Sequence, residues 1–460
     1  MTPIQRISLL LLLLAPPTAR ATEAGVPPAG QISAEELMET VEWLVAPQRR
    51  GRLAGDEGYQ QAAEEMALVG ADGAEQPWVL GEDFVARGFT GSGQVTAEVV
   101  FVGYGLVDGK GWDDYAGIDV TGKVVLALKQ PPPWEVDGGW GEIHFPRPKA
   151  QVARDRGAVG MLLVSNPLAK HVQPLIGSTA HGPGEQAKDL PQLQVTGAVA
   201  DTLLEGSGWT IKALQEGIDA DRAPSPVALA TRVRIGVEAR YRAECAPPSV
   251  VGILRGADPA RAAEHVILGA HLDHVGQQGE LLFPGANDNA SGAAAVLGVA
   301  RAMTRQGKLP PRSVVFVLFA GEEQGLKGAE AYVADPPLPL DQAVAMINTD
   351  GVGTGVGMRV GGGGASPNLH ALARELDAAA DVFTTEETWY GGGSDAQPFF
   401  DAGLPTLYFA ADQGWDNLHQ PTDTLDKIDP TLLHQATNLM YLTTAAIADG
   451  RYDREERQPE

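Results

Sequence analysis

Three rhythms of apolar and polar positions succeed one another along this chain. Residues 31–90 carry helical spacing. In ISAEELMETVEWLV (32–45) apolar positions recur every three to four residues, with Ser33 as N-cap and Glu36 three positions on, the pattern of a capping box. A second helix is expected over YQQAAEEMALVGAD (59–72), ending at Gly70. From 92 to 235 short β-like runs broken by Gly, Pro and Asp take over: VTAEVVFVGYG (95–105), KVVLALKQ (123–130), GMLLVSNP (160–167) and LPQLQVTG (190–197), with one helix, PKAQVARDRGA (148–158), among them. After Cys245 buried strands alternate with amphipathic helices. SVVGILRG, EHVILGAHLD, SVVFVLFAGEE, AVAMINTD and PTLYFAAD read as strands, and SGAAAVLGVARAMTRQG, LHALARELDAA and PTLLHQATNLMYLTTAAIA as helices. That alternation predicts an α/β fold in three layers, a mostly parallel or mixed sheet flanked by helices.

Composition narrows the function classes. Acidic residues outnumber basic ones by 59 to 34 across 460 residues, a net charge of −25. No nucleic-acid partner is expected of such a chain, because a phosphate backbone requires clustered Lys and Arg. The first residues, MTPIQRISLLLLLLAPPTARA, place Arg6 before an apolar run and a small-x-small site at Ala19-Arg20-Ala21. This is the pattern of an export signal cut after Ala21, too short for a stable membrane anchor, so a periplasmic or extracellular location is expected. The single cysteine, Cys245, excludes an internal disulfide and reads as a structural thiol.

Candidate chemistry collects where strands end. In open α/β sheets, functional groups gather at the carboxyl edge of the strands. EHVILGA runs into His271, Asp273 and His274; SVVFVLFAG into Glu322 and Glu323; AVAMINT into Asp350. The turn PGANDNASG places Asp288 before a helix, and DNLHQPTDT supplies His419. Imidazoles and carboxylates without thiolate suit zinc and similar divalent ions. One group from each of these five segments would exceed the usual three protein ligands of one catalytic zinc and suit two metals sharing a bridging carboxylate. The adjacent glutamates fit too, because neighbours in an extended chain point to opposite sides. One can ligate metal while the other faces the substrate water.

The motifs HLDH (271–274), GANDNASG (285–292), FAGEEQGLKGAEAY (319–332), NTD (348–350), GGSD (392–395) and LHQPTDT (418–424) resemble the secreted di-zinc aminopeptidases, relatives of glutamate carboxypeptidase and glutaminyl cyclase. The resemblance spans residues 245–450. It implies that His271 and Asp350 hold one zinc, Glu323 and His419 the second, and that Asp288 bridges them. Glu322 would be the general base, and Asp273 would orient His271. Residues 92–235 resemble the protease-associated domain inserted in many of these enzymes, on the text VFVGYGLVDGKGWDDYAGIDVTGKVVLAL followed by RGAVGMLLVSNP. The insertion would leave residues 31–90 with the peptidase domain. The implied activity is release of N-terminal residues from peptides. Carboxypeptidase, dipeptidase or glutaminyl cyclase activity, or a non-catalytic binding protein on the same scaffold, are the alternatives.

Two positions depart from the pattern. Many relatives carry a histidine where Ala396 stands, and often a tyrosine where Gly391 stands. Tyr390, one residue away, is the candidate for supporting the oxyanion. Among the remaining histidines, His274 is the candidate to sit behind the ligands. Trp134 and Trp140, in QPPPWEVDGGWGE, mark either a solvent-facing loop or a lid.

Overall fold

A computed structural model describes residues 12–13, 32–54, 61–134, 136, 139–177, 185–239, 247–378, 381–456 and 458. The export signal, Cys245 and His181 lie outside them, apart from Leu12–Leu13. The chain forms two compact units. One joins the chain up to Gly55 with Glu244–His274 and Phe283–Glu460; the other joins Asp56–Ala243 with Val275–Leu282. The N-terminal share of the first unit thus ends at Gly55 rather than near residue 90.

In the first unit the short apolar runs become a seven-stranded sheet. Its order is Leu12–Leu13, Val250–Leu254, Ser313–Phe319, His265–His271, Ala343–Asp350, Thr406–Asp412, Gly357–Gly361. The four strands from Ser313–Phe319 to Thr406–Asp412 run parallel, while Val250–Leu254 and Gly357–Gly361 pair antiparallel at their flanks. Every residue of Ser313–Phe319, His265–His271 and Ala343–Asp350 is buried, as a parallel sheet covered on both faces requires. Alternate residues serve opposite faces. Val266, Leu268 and Ala270 pack with the helices Ala34–Val45, Gly292–Arg305 and Pro430–Ala448. Ile267, Val315, Val317 and Met346 pack with Tyr332 and Phe399 from the short helices Lys327–Ala334 and Ala396–Asp401. Ala396 is fully buried there, so its methyl group fills core space. The expected capping box forms in part: Ser33 Oγ accepts the Glu36 N–H at 3.3 Å and starts the helix Ala34–Val45.

In the second unit a ten-stranded sheet is built on the long strand Val227–Ala239, which pairs antiparallel with Gly93–Phe101 and with Gln61–Val69. The helix expected over 59–72 is therefore a strand over Gln61–Val69. Helix propensity is a weak prior that tertiary pairing overrides, and here register with Val227–Ala239 decides. The helices Gly197–Leu203 and Ile211–Asp221 were not expected from the sequence. Trp134 and Trp140 pack on one another, 6.0 Å between ring centroids, and on Trp112 in this unit's own core. Lys149 is fully buried beneath the sheet, its ammonium donating to the carbonyls of Leu128 and Lys129, each at 2.9 Å.

Candidate metal centre

Parallel register brings the strand ends together. His271 lies opposite Phe319, so the chain leaves that strand directly into Glu322 and Glu323. Gly269 lies opposite Asn348, which sets Asp350 level with His271. The turn carrying Asp288 is then fastened to the residues on either side of Asp350. Asn289 Nδ2 donates to the Thr349 carbonyl at 2.9 Å, Ser291 Oγ accepts the Val352 N–H at 2.9 Å, and Asn287 Oδ1 accepts the Gly353 N–H at 2.8 Å. Gly285 opens this turn at φ 63°, and a Cβ there would lie 2.4 Å from the Asp288 carbonyl and 2.5 Å from the His274 ring. Only glycine fits that position. The Asp288–Asn289 peptide is cis.

Asp288 lies between two donor sets. On one side His271 Nε2 is 3.3 Å from Asp288 Oδ1 and 3.3 Å from Asp350 Oδ1. On the other, His419 Nε2 is 3.1 Å from Asp288 Oδ2 and 3.0 Å from Glu323 Oε2. Donor atoms about 2.0–2.1 Å from a tetrahedral ion stand about 3.3 Å apart, so each set has the spacing of groups around one ion. Asp288 Oδ2 is buried without an aligned hydrogen bond although His419 Nε2 lies close. Close but unaligned contact is what groups converging on a shared cation display. The residues fit two divalent ions.

Proximity alone also groups Glu322 with His271 and Asp350, and His274 with Asp288 and Glu323, ligand atoms within 4.8 Å. The surroundings separate their roles. Glu323 is 6% exposed, while Glu322 remains partly open to solvent. His274 is fully buried, with Nδ1 2.9 Å from Glu323 Oε1, which leaves Oε2 for His419 and an ion. His274 thus braces a ligand from behind.

Asp273 acts differently from the expectation. Its backbone carbonyl, not its carboxylate, accepts from His271 Nδ1, at 3.1 Å; the carboxylate lies 3.9 Å away. That carboxylate accepts the backbone N–H groups of Glu322 at 3.2 Å and Glu323 at 3.4 Å, and so fixes the glutamate pair.

Tyr390 is not brought to the site. Trp389 donates from Nε1 to the Gly392 carbonyl at 3.1 Å and lays its ring against Tyr408. This turn sends Tyr390 outward, where its hydroxyl donates to the Gln458 carbonyl at 2.6 Å and its ring meets Phe400. The tyrosine that reaches the ligands is Tyr408, whose hydroxyl donates to Asp350 Oδ2 at 3.3 Å.

The sequence reading also passed over Asp395, Asp423 and Arg52. Asp395 is fully buried with both carboxylate oxygens unpartnered among the described residues. Burial holds its carboxyl well above the usual range, with His271 pulling down and Asp273, Asp350 and Glu323 pushing up. Burial likewise raises Glu322, with Glu323, Asp395 and Asp350 adding to it against His271. For His271, burial opposes the charge, but Asp350 and Glu322 outweigh it and raise the imidazole well above its usual value. The donor set of a centre so rich in carboxylates suits cations. The histidines His265, His370 and His434 serve elsewhere: His265 Nδ1 lies 3.4 Å from the Ala263 carbonyl, His370 packs against Phe383 and His434 Nε2 meets the Ile32 carbonyl at 3.1 Å.

Histidines and carboxylates thus gather at the carboxyl edge of an α/β sheet whose unit is interrupted in sequence by a β-rich insert. Residues 249–444 match Peptidase family M28, and residues 95–203, which lie ahead of that stretch, match the PA domain. A probable leucine aminopeptidase of Arthroderma otae is 30% identical over 206 residues, 42% of this chain and 56% of that protein. A probable lipoprotein aminopeptidase, LpqL, of Mycobacterium tuberculosis is 27% identical, covering 70% of this chain and 61% of that one. The chain thus spans little more than half the length of these curated relatives. The structure of BSAP, a zinc aminopeptidase from Bacillus subtilis, shares the fold at a TM-score of 0.63 and 18% identity, covering 95% of this chain and 100% of that chain.

Proposed function

We propose that this chain is an exported di-zinc aminopeptidase that hydrolyses the N-terminal peptide bond of peptides. The observation that carries the reading is the position of Asp288, one carboxylate oxygen toward His271 and Asp350 and the other toward His419 and Glu323. The relatives, probable leucine and lipoprotein aminopeptidases and a zinc aminopeptidase, support zinc and the aminopeptidase choice. Export rests on the N-terminal pattern around Arg6 and Ala21. No helix among the described residues is long and apolar enough to cross a membrane.

Bound zinc supplies Lewis-acid polarisation of the scissile carbonyl and acidification of water. The protein's own residues do the rest. Glu322, partly open to solvent, takes a proton from the attacking water and returns it to the leaving amine. Asp273 holds the backbone of Glu322 and Glu323, so the base and the adjacent ligand keep fixed spacing. Tyr408 holds Asp350 by its second oxygen.

The test compares leucyl-anilide with its N-acetylated form, each with and without a chelator. Cleavage of the free amine alone, lost with chelator and restored by zinc, is expected. No cleavage of either substrate by protein carrying two metals would overturn the aminopeptidase reading in favour of carboxypeptidase or dipeptidase activity.

A further inference from the structure

One guanidinium ties together three chain segments around the site. Arg52 Nε donates to the Leu272 carbonyl at 2.9 Å, next to ligand His271. Its Nη1 donates to the Pro284 carbonyl at 2.6 Å and its Nη2 to the Gly285 carbonyl at 2.8 Å, both in the turn that presents Asp288. Nη1 also reaches the Leu44 carbonyl, at 3.3 Å, at the end of the helix Ala34–Val45. The Arg52 carbonyl in turn accepts the His274 N–H at 3.2 Å. Arg52 itself adopts φ 52°, an unusual conformation for a residue with a side chain, which points to a demand imposed by its surroundings.

The charge matters as much as the bonds. Desolvation pulls the guanidinium down to about 10, while Asp288, Asp423, Asp273 and Glu323 pull it back up, so it stays charged at neutral pH. It is a fixed cation among carboxylates that would otherwise repel one another. The guanidinium serves four carbonyls, and an ammonium, with three N–H donors, cannot hold all of them.

We propose that Arg52 is a positioning residue of the metal centre, fixing the His271 loop against the Asp288 turn so that the two ligands keep their spacing before metal arrives. This rests on the reading of the centre as a zinc site. The role differs from general structural support, and Arg312 provides the comparison. Arg312 is buried in this unit and donates to the Ile447 carbonyl at 2.8 Å and to that of Tyr452, but none of its hydrogen-bond or ion-pair partners stands within three residues of a proposed ligand, as Leu272 and Gly285 do.

The experiment measures zinc affinity by competition with a chromophoric chelator, together with the melting temperature of the metal-free protein. Wild type, Arg52→Lys, Arg52→Met and Arg312→Met are compared. Arg52→Met is expected to lose roughly 10–100-fold in zinc affinity, the range for outer partners of metal ligands, and Arg52→Lys to recover part of it. Arg312→Met is expected to lower the melting temperature while its folded protein binds zinc as wild type does. Should Arg52→Met not fold, Arg52→Lys carries the comparison. Wild type binding two zinc ions with Arg52 variants of unchanged affinity, or losing affinity only as far as Arg312→Met does, would overturn this inference alone. Wild type that binds no zinc would overturn the metal-centre reading beneath it.

Discussion

Asp423 grips the backbone of Asp288. One carboxylate oxygen accepts the Asn287 N–H at 2.9 Å and the other accepts the Asp288 N–H at 3.1 Å, while the Asp423 carbonyl accepts the Ala286 N–H at 3.1 Å. Four residues after His419, this side chain sets the orientation of the carboxylate proposed to bridge the two ions. Asp423→Asn puts an amide N–H against a backbone N–H, and zinc affinity should fall by roughly 10–100-fold. Isothermal titration of metal-free protein checks this; affinity equal to wild type would show that the turn holds its shape without Asp423.

Glu322 and Glu323 should separate cleanly. Glu322→Gln is expected to lower kcat by about 10²–10⁴-fold, the usual worth of a general base, with zinc content near two ions per chain. Glu323→Gln is expected to lose zinc from the His419 side. Elemental analysis beside kinetics decides; equal zinc loss in both variants would end the division of labour.

Tyr408 and Tyr390 give opposite expectations. Tyr408→Phe removes the hydroxyl on Asp350 Oδ2 and should lower kcat/KM by about tenfold, as the loss of a hydrogen bond to a charged group does. Tyr390→Phe removes a bond to the Gln458 carbonyl and should leave kcat/KM within about twofold, in keeping with substitutions away from a site. Reversed effects in steady-state assays would return the role to Tyr390.

Lys149 should make the second unit more stable in alkali. Burial pulls its ammonium down to about 7, with Asp114 offsetting part of the shift. The unfolded chain holds this proton until about pH 10.4, so between the two values the unfolded state binds more protons and stability rises with pH. Guanidinium unfolding followed by tryptophan fluorescence should show a higher midpoint at pH 9 than at pH 7.5. Lys149→Met should flatten that difference; an unchanged rise would assign it to another group.

The sequence by itself determined which residues could form the centre. Short apolar runs alternating with amphipathic helices required a covered, largely parallel sheet, and such a sheet exposes chemistry only where its strands end. His271, Glu322, Glu323 and Asp350 each stand just past a buried run, so their place at one edge was legible from local pattern. Asp288 and His419 were legible as turn residues within recognisable text.

Tertiary structure alone decided the rest. Whether 59–72 forms helix or strand turned on pairing with Val227–Ala239, more than 160 residues downstream of it in the register of Leu68 with Val233. Asp423 and Arg52 act on backbone groups 135 and 220 residues away, and a backbone N–H or carbonyl carries no mark in the sequence of what will bind it. That Tyr408 and not Tyr390 meets Asp350 depended on the pairing of Thr406–Asp412 beside Ala343–Asp350 and on the turn that carries Tyr390 outward, neither of which the local sequence marks. Residue type fixed the chemistry available to this chain; long-range hydrogen bonding fixed where that chemistry points.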